Sequence, residues 1–249
     1  MYFFLCNLSA LDIVYTSVTS PKLIYVFATN SGNISFKACI VQLYFFIAFG
    51  STEYLLLTLM SYDRYLAICK PLHYTLIMNK KVRTLGATST WLGGLLAAFP
   101  IVMVTTNLKY CSSKAINHFF CDITALIKIS CGDTTVIHIV ILIQGVILVM
   151  SSFLLTLLSY ICIISSILKI RTSKGKRKAF ATCASHLTTV SAFYCLIFEL
   201  YMKSKSSISL NEGKVLTVLY VYVIPMLNPM VYSFRNRDVR LSLRKIIHH

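Results

Sequence analysis

Met60-Ser61-Tyr62-Asp63-Arg64-Tyr65-Leu66-Ala67-Ile68-Cys69-Lys70-Pro71-Leu72-His73-Tyr74 sets an acid beside a base at the end of a long apolar run. Charge is costly in hydrocarbon, so apolar helices rarely carry such a pair without a purpose. The pair marks where a membrane helix meets the aqueous phase. Of the 249 residues, 57% are hydrophobic and only 13% charged, and the mean hydropathy is +0.73. A soluble domain of this length would be far more polar; a bilayer is the expected solvent.

A bilayer core needs about 20 mostly apolar residues per helix. Six segments meet that requirement, roughly 1–27, 39–67, 84–106, 135–168, 180–202 and 214–234. Met1 is followed at once by apolar residues, with no basic stretch before them, so the first segment is expected to stay in the membrane rather than be cleaved. Most of the 24 Lys and Arg fall on one side: Arg64 to Arg83, Lys169 to Lys178, and the tail from Arg235 to Lys245. The positive-inside rule places that side, and both chain ends, in the cytoplasm. The basic residues form no stripe interleaved with aromatics, so nucleic acid is not an expected partner. The tail 235–249 reads as a short amphipathic helix on the inner membrane surface, in contact with lipid. The whole chain, 1–249, reads as a single all-α, polytopic membrane helix bundle.

The nine Cys form no CxxC zinc pattern. Cys39 stands at the outer start of its helix, and Cys111, Cys121 and Cys131 lie in a long polar outer loop, 107–133. An oxidising exterior suits them, and four Cys allow three pairings. Cys6, Cys69, Cys162, Cys183 and Cys195 read as packing residues or reduced thiols.

Several stretches together resemble the olfactory receptors among the rhodopsin-like G protein-coupled receptors. Besides Met60 to Tyr74, Met1-Tyr2-Phe3-Phe4-Leu5 through Asp12 and Tyr15-Thr16-Ser17 to Pro21-Lys22 is similar to that family's second transmembrane helix. Lys178-Ala179-Phe180-Ala181-Thr182-Cys183-Ala184-Ser185-His186-Leu187 looks like the start of its sixth. Pro225-Met226-Leu227-Asn228-Pro229-Met230-Val231-Tyr232-Ser233, followed by Arg235-Asn236, looks like the end of its seventh. The resemblance runs along nearly the whole chain and implies a seven-transmembrane receptor bundle in which the second to seventh helices are present. The family's extracellular N-terminus and first helix have no counterpart in these residues.

The resemblance implies functions for particular side chains. Asp63, Arg64 and Tyr65 correspond to the G protein switch, with Tyr160, Asn228, Pro229 and Tyr232 as its partners on activation. Spacing alone reads Asp63 and Arg64 equally well as a charge pair at headgroup level. Pro229 frees a carbonyl and permits a kink in a segment that moves. The resemblance pairs Cys39 with Cys121 and Cys111 with Cys131. Asp12 and Glu53 are the carboxylates deepest in apolar sequence, and each needs a partner, a proton or a cation there. With Asn228 they look like the family's mid-membrane sodium site; two close carboxylates sharing a proton is the equal alternative. No other cofactor is expected.

A ligand pocket is expected between the outer halves of the helices. Helical counting from the motifs brings Phe46, Ile47, Gly50 and Ser51 to its wall, then Gln144 and Leu148, then Tyr194, Ile197, Phe198 and Tyr201, and finally Val218 and Val221. Helix-packing core is the competing account for each apolar member. No acid stands where amine receptors hold a counter-ion, so neutral, volatile, largely apolar odorants are the expected ligands. The function implied is an odorant receptor of the plasma membrane that activates a stimulatory, olfactory-type heterotrimeric G protein. The alternatives are a truncated, non-signalling receptor product and a transporter or channel, which lacks the expected internal repeat. An enzyme is not expected, since no Ser/His/Asp set, metal cluster or Gly-rich phosphate loop falls on one membrane face. His186 has no second His three or four residues away, and Asn33-Ile34-Ser35 matches a glycosylation acceptor only in a loop too short to use it.

Overall fold

The computed structural model describes residues 2–29, 34–111, 120–202, 215 and 217–228. Its main elements are helices: α1 (Tyr2–Thr29), α2 (Phe36–Cys69), α3 (Tyr74–Ile77), α4 (Lys80–Thr106), α5 (Ile123–Ile129), α6 (Thr135–Gln144), α7 (Ser151–Leu168), α8 (Ser173–Met202) and α9 (Leu219–Asn228). α6 and α7 join through a π-helical segment, Gly145–Met150, and α9 opens with another, Leu219–Val223. Among the described residues four stretches are long and apolar enough to cross a membrane: α1, α2, α4 and the continuous Thr135–Leu168.

The two remaining spans differ from the sequence expectation. Instead of starting near 180, α8 begins at Ser173 and bends by 50° between Ser173–Ala181 and His186–Glu199. Lys174, Lys176 and Arg177 are good helix formers, so the helix continues past the apolar run that the hydropathy pattern detects. At the break the Cys183 thiol donates to the Phe180 carbonyl at 3.4 Å, a side chain competing for the helix's own acceptors. The expected span 214–234 is described as an apolar helix only over Leu219–Asn228. Pro229, Tyr232, Asn33 and the tail 235–249 lie outside the described residues, as does the side chain of Tyr201.

The chain forms two compact units, Met1–Met60 with Leu76–Leu157, and Ser61–Thr75 with Leu158–His249. In the first, α1 buries Phe4, Leu8, Leu11, Tyr15 and Thr19, the three- and four-residue spacing of one helix face. Its opposite face shows Ile13, Ile24 and Phe27 to the surroundings, as a lipid-facing surface should. α4 packs against α1, α5 and α6, and its buried residues are mostly small: Ala87, Thr90, Gly94, Ala98 and Thr105, with Ile101. Helices in lipid gain little from apolar burial against one another, so close backbone approach has to supply the contact. At Gly94 a Cβ would fall on Thr52 Oγ1 and 2.6 Å from the Ala48 carbonyl oxygen, so only glycine fits against α2. Hydroxyls in α1 are satisfied on its own backbone: Thr16 donates to the Asp12 carbonyl, Ser17 to Ile13 and Ser20 to Thr16.

In the second unit Tyr160, Ile163, Ile167 and Cys183 form a buried cluster, with Tyr65, Ile68, Cys69, Ala179 and Leu187 packed on it. Farther along α8, Phe193 meets Tyr194 edge-on and Tyr220 of α9 at a centroid distance of 5.7 Å.

Candidate functional site

The acid-base pair at the end of α2 is buried. Asp63 is 1% and Arg64 6% exposed, and Arg64 Nη2 lies 3.5 Å from Asp63 Oδ2. The other carboxylate oxygen accepts a hydrogen bond from the Tyr74 hydroxyl at 2.8 Å. Tyr74 reaches it because Pro71 cannot continue α2; a 3-10 turn, Pro71–His73, brings the chain back and α3 starts at Tyr74. One carboxylate thus answers a guanidinium and a phenol together. Tyr65, on the next helical position, stacks with Tyr62 and packs on the Tyr160 cluster.

Tyr160 meets a partner that sequence reasoning did not assign it. Its hydroxyl lies 2.6 Å from His186 Nδ1, and the two rings stack at an angle of 17°. His186 Nε2 is buried and makes no hydrogen bond. Nothing in the periodicity of α8 distinguishes a histidine that pairs across helices from one that points to lipid. Nearby, Ser166 donates to the Cys69 sulfur at 3.1 Å. Asn228 is buried at the end of the described part of α9.

In the first unit, Asp12 and Glu53 are both buried. Both carboxylate oxygens of Glu53 lack a hydrogen-bond partner. A carboxylate cannot stay ionised in such a place without a positive partner.

Near the Cys39 end of α2 in the same unit lies an aromatic wall. Phe46 packs on Tyr15 of α1 with ring centroids 5.4 Å apart, and on Phe120 with centroids 4.8 Å apart. Gly50 and Ser51, one turn farther along α2, are buried, and Ile47 packs on the cluster of Cys39, Leu43, Cys121 and Leu126. Gln144 and Leu148 are half-buried at the π-helical segment of α6 and α7. In the second unit, Tyr194 and Ile197 are buried and Phe198 half-buried on α8, while Val218 and Val221 fall at the π-helical start of α9. The extra residue in a π turn displaces the side chains around it, and such turns recur at functional sites.

The segment between α4 and α6 is held twice. Disulfides join Cys39 to Cys121 and Cys111 to Cys131. An isolated antiparallel bridge pairs Tyr110 with Ser130, and the Cys131 N–H donates to the Lys109 carbonyl at 2.9 Å. Asp122 caps α5 by accepting from the N–H groups of Thr124 and Ala125. Hydrogen bonds from the hydroxyl and N–H of Thr135 hold the Asp133 carboxyl below its usual range at the entry to α6. The carboxamide of Gln42, which sequence reasoning passed over, accepts the Cys121 N–H at 3.0 Å and donates to the Val18 carbonyl at 2.8 Å.

Comparison with known proteins gives one consistent result. The family model described as Olfactory receptor matches residues 1–249. Olfactory receptor 5AR1 of Mus musculus is 42% identical over 99% of this chain and 80% of its own length. Olfactory receptor 10R2 of Homo sapiens is 43% identical over 99% of this chain and 74% of its own. Among solved structures, squid rhodopsin matches with a TM-score of 0.74 at 17% identity, covering 97% of this chain and 70% of that one.

Proposed function

Because the chain belongs to the olfactory receptor family, a family of non-enzymatic receptors, we propose that it senses neutral, largely apolar odorants from outside the cell and passes the signal to a stimulatory, olfactory-type G protein. It is a multi-pass membrane protein, and we place both ends of this chain in the cytoplasm on the strength of the basic loops. The observation that carries the reading is the buried Asp63–Arg64 pair with Tyr74 on the other carboxylate oxygen. An ion pair this deep is a poor stabiliser and a good two-state element, because breaking it leaves an uncompensated charge that a docking partner can satisfy. Tyr65, Tyr160, Asn228, Pro229 and Tyr232 are assigned to the same switch by resemblance. The aromatic wall of Tyr15, Phe46 and Phe120 supports an apolar ligand, which has to favour one state over the other to act at all.

Asp12 and Glu53 would hold a single positive charge, either a sodium ion or a shared proton, and the orphaned oxygens of Glu53 support that assignment. The deciding experiment is cyclic AMP production in cells expressing the chain with the stimulatory G protein. Arg64→Ala should abolish the odorant response at equal surface level. A response that survives this change overturns the switch assignment.

A further inference from the structure

Gln42 occupies a position that neither the family motifs nor the disulfides account for. It lies on α2 close to Cys39, with 9% of its surface exposed. Its carboxamide uses both ends: the oxygen takes the Cys121 N–H, and the nitrogen donates to the Val18 carbonyl of α1. Val18 lies three residues before Pro21, whose missing N–H leaves the neighbouring Ser17 carbonyl without its helical donor. Gln42 therefore ties α2 to α1 at the carbonyl next to that gap, a second bond on an acceptor beside the weakest turn of the helix.

The loop gains more. A disulfide tethers Cys121 through a chain of rotatable bonds, which fixes distance better than direction. A hydrogen bond on the Cys121 backbone N–H adds a second anchor on the peptide unit that links it to Phe120. With both anchors made, Phe120 is 5% exposed and its ring lies on Phe46, which in turn lies on Tyr15. We propose that Gln42 is a positioning residue for the ligand site: it orients the loop so that Phe120 completes the aromatic wall, and Phe120 thereby discriminates among ligands. The inference rests on the odorant reading above for its functional half only.

Hydrogen exchange and ligand profiling test the two halves separately. In the purified chain, with the Cys39–Cys121 bond verified by mass, Gln42→Met keeps the volume and removes both polar contacts. Exchange at the Cys121 amide should speed up about tenfold, the weight of one lost hydrogen bond. Gln42→Glu, whose carboxyl oxygen can still accept, should restore most of the protection. Unchanged exchange in Gln42→Met overturns the proposal whatever the ligands do. If Gln42→Met fails to fold, Gln42→Asn, one methylene too short to reach both partners, carries the same comparison.

In cells, a panel of aliphatic and aromatic alcohols, aldehydes and ketones should show a changed order of potency in Gln42→Met. The change should be non-additive with Phe120→Ala, because both act through one ring. Potencies that all shift by the same factor, or that add, overturn the specificity role. A panel that leaves the unaltered chain silent at verified surface level counts against the odorant reading itself, while the exchange result still decides whether Gln42 holds the loop.

Discussion

The Tyr74 hydroxyl donates to Asp63 Oδ1 at 2.8 Å while Arg64 Nη2 stands 3.5 Å from Oδ2 of the same carboxylate. Tyr74 therefore shares the acid with the guanidinium. Removing it in Tyr74→Phe leaves a buried carboxylate short of a donor, a loss of about 1.5–3 kcal/mol for a hydrogen bond to a charged group. The expected result is a lower melting temperature and higher ligand-independent cyclic AMP. Basal signalling equal to that of the unaltered chain would mean that Tyr74 does not restrain the switch.

Gly94 and Gly145 make opposite predictions for the same substitution. A Cβ at Gly94 meets Thr52 Oγ1 and the Ala48 carbonyl, whereas a Cβ at Gly145 meets nothing within 4 Å. Gly94→Ala should cost about 1–3 kcal/mol as α2 and α4 are forced apart. Gly145→Ala should be neutral or slightly stabilising. Thermal unfolding in detergent separates the two, and equal melting temperatures would refute the close-packing account.

The two disulfides close loops of different length, with sequence separations of 82 and 20. By the chain-entropy argument, removing the Cys39–Cys121 pair should cost about 1 kcal/mol more than removing the Cys111–Cys131 pair. Replacing each pair with alanines and comparing unfolding midpoints tests this. The buried cluster of Leu43 and Leu126 around Cys39 and Cys121 should widen the gap.

Glu53 carries the sharpest test of the buried carboxylates. If the pair with Asp12 holds sodium, sodium chloride should raise the melting temperature by a few degrees over choline chloride, and Glu53→Gln should erase the difference. If the unaltered chain melts alike in both salts, the pair holds a proton and Glu53→Gln should be well tolerated.

The buried ion pair and the aromatic wall were legible to different degrees. Asp63 and Arg64 stand out in sequence because charge interrupts apolar periodicity, and Glu53 stands out for the same reason. Tyr74 lies only ten residues beyond Arg64 yet carries no mark of its contact with Asp63, since that contact depends on the turn at Pro71. Gln42, Phe120 and His186 are ordinary helix or loop residues by composition. Only a neighbour from another segment gives each its contacts: Val18 and Cys121, Phe46, and Tyr160.

The amino-acid sequence by itself determined the solvent and the helical character, and it sets the sidedness expected from the basic loops. These follow from transfer free energy and charge, which act residue by residue along the chain. Tertiary structure decided which of three cysteine pairings forms, why position 94 must be glycine, where α8 bends, and which groups share the Asp63 carboxylate. Those outcomes depend on distances between segments far apart in the chain, and a one-dimensional pattern carries no such distances.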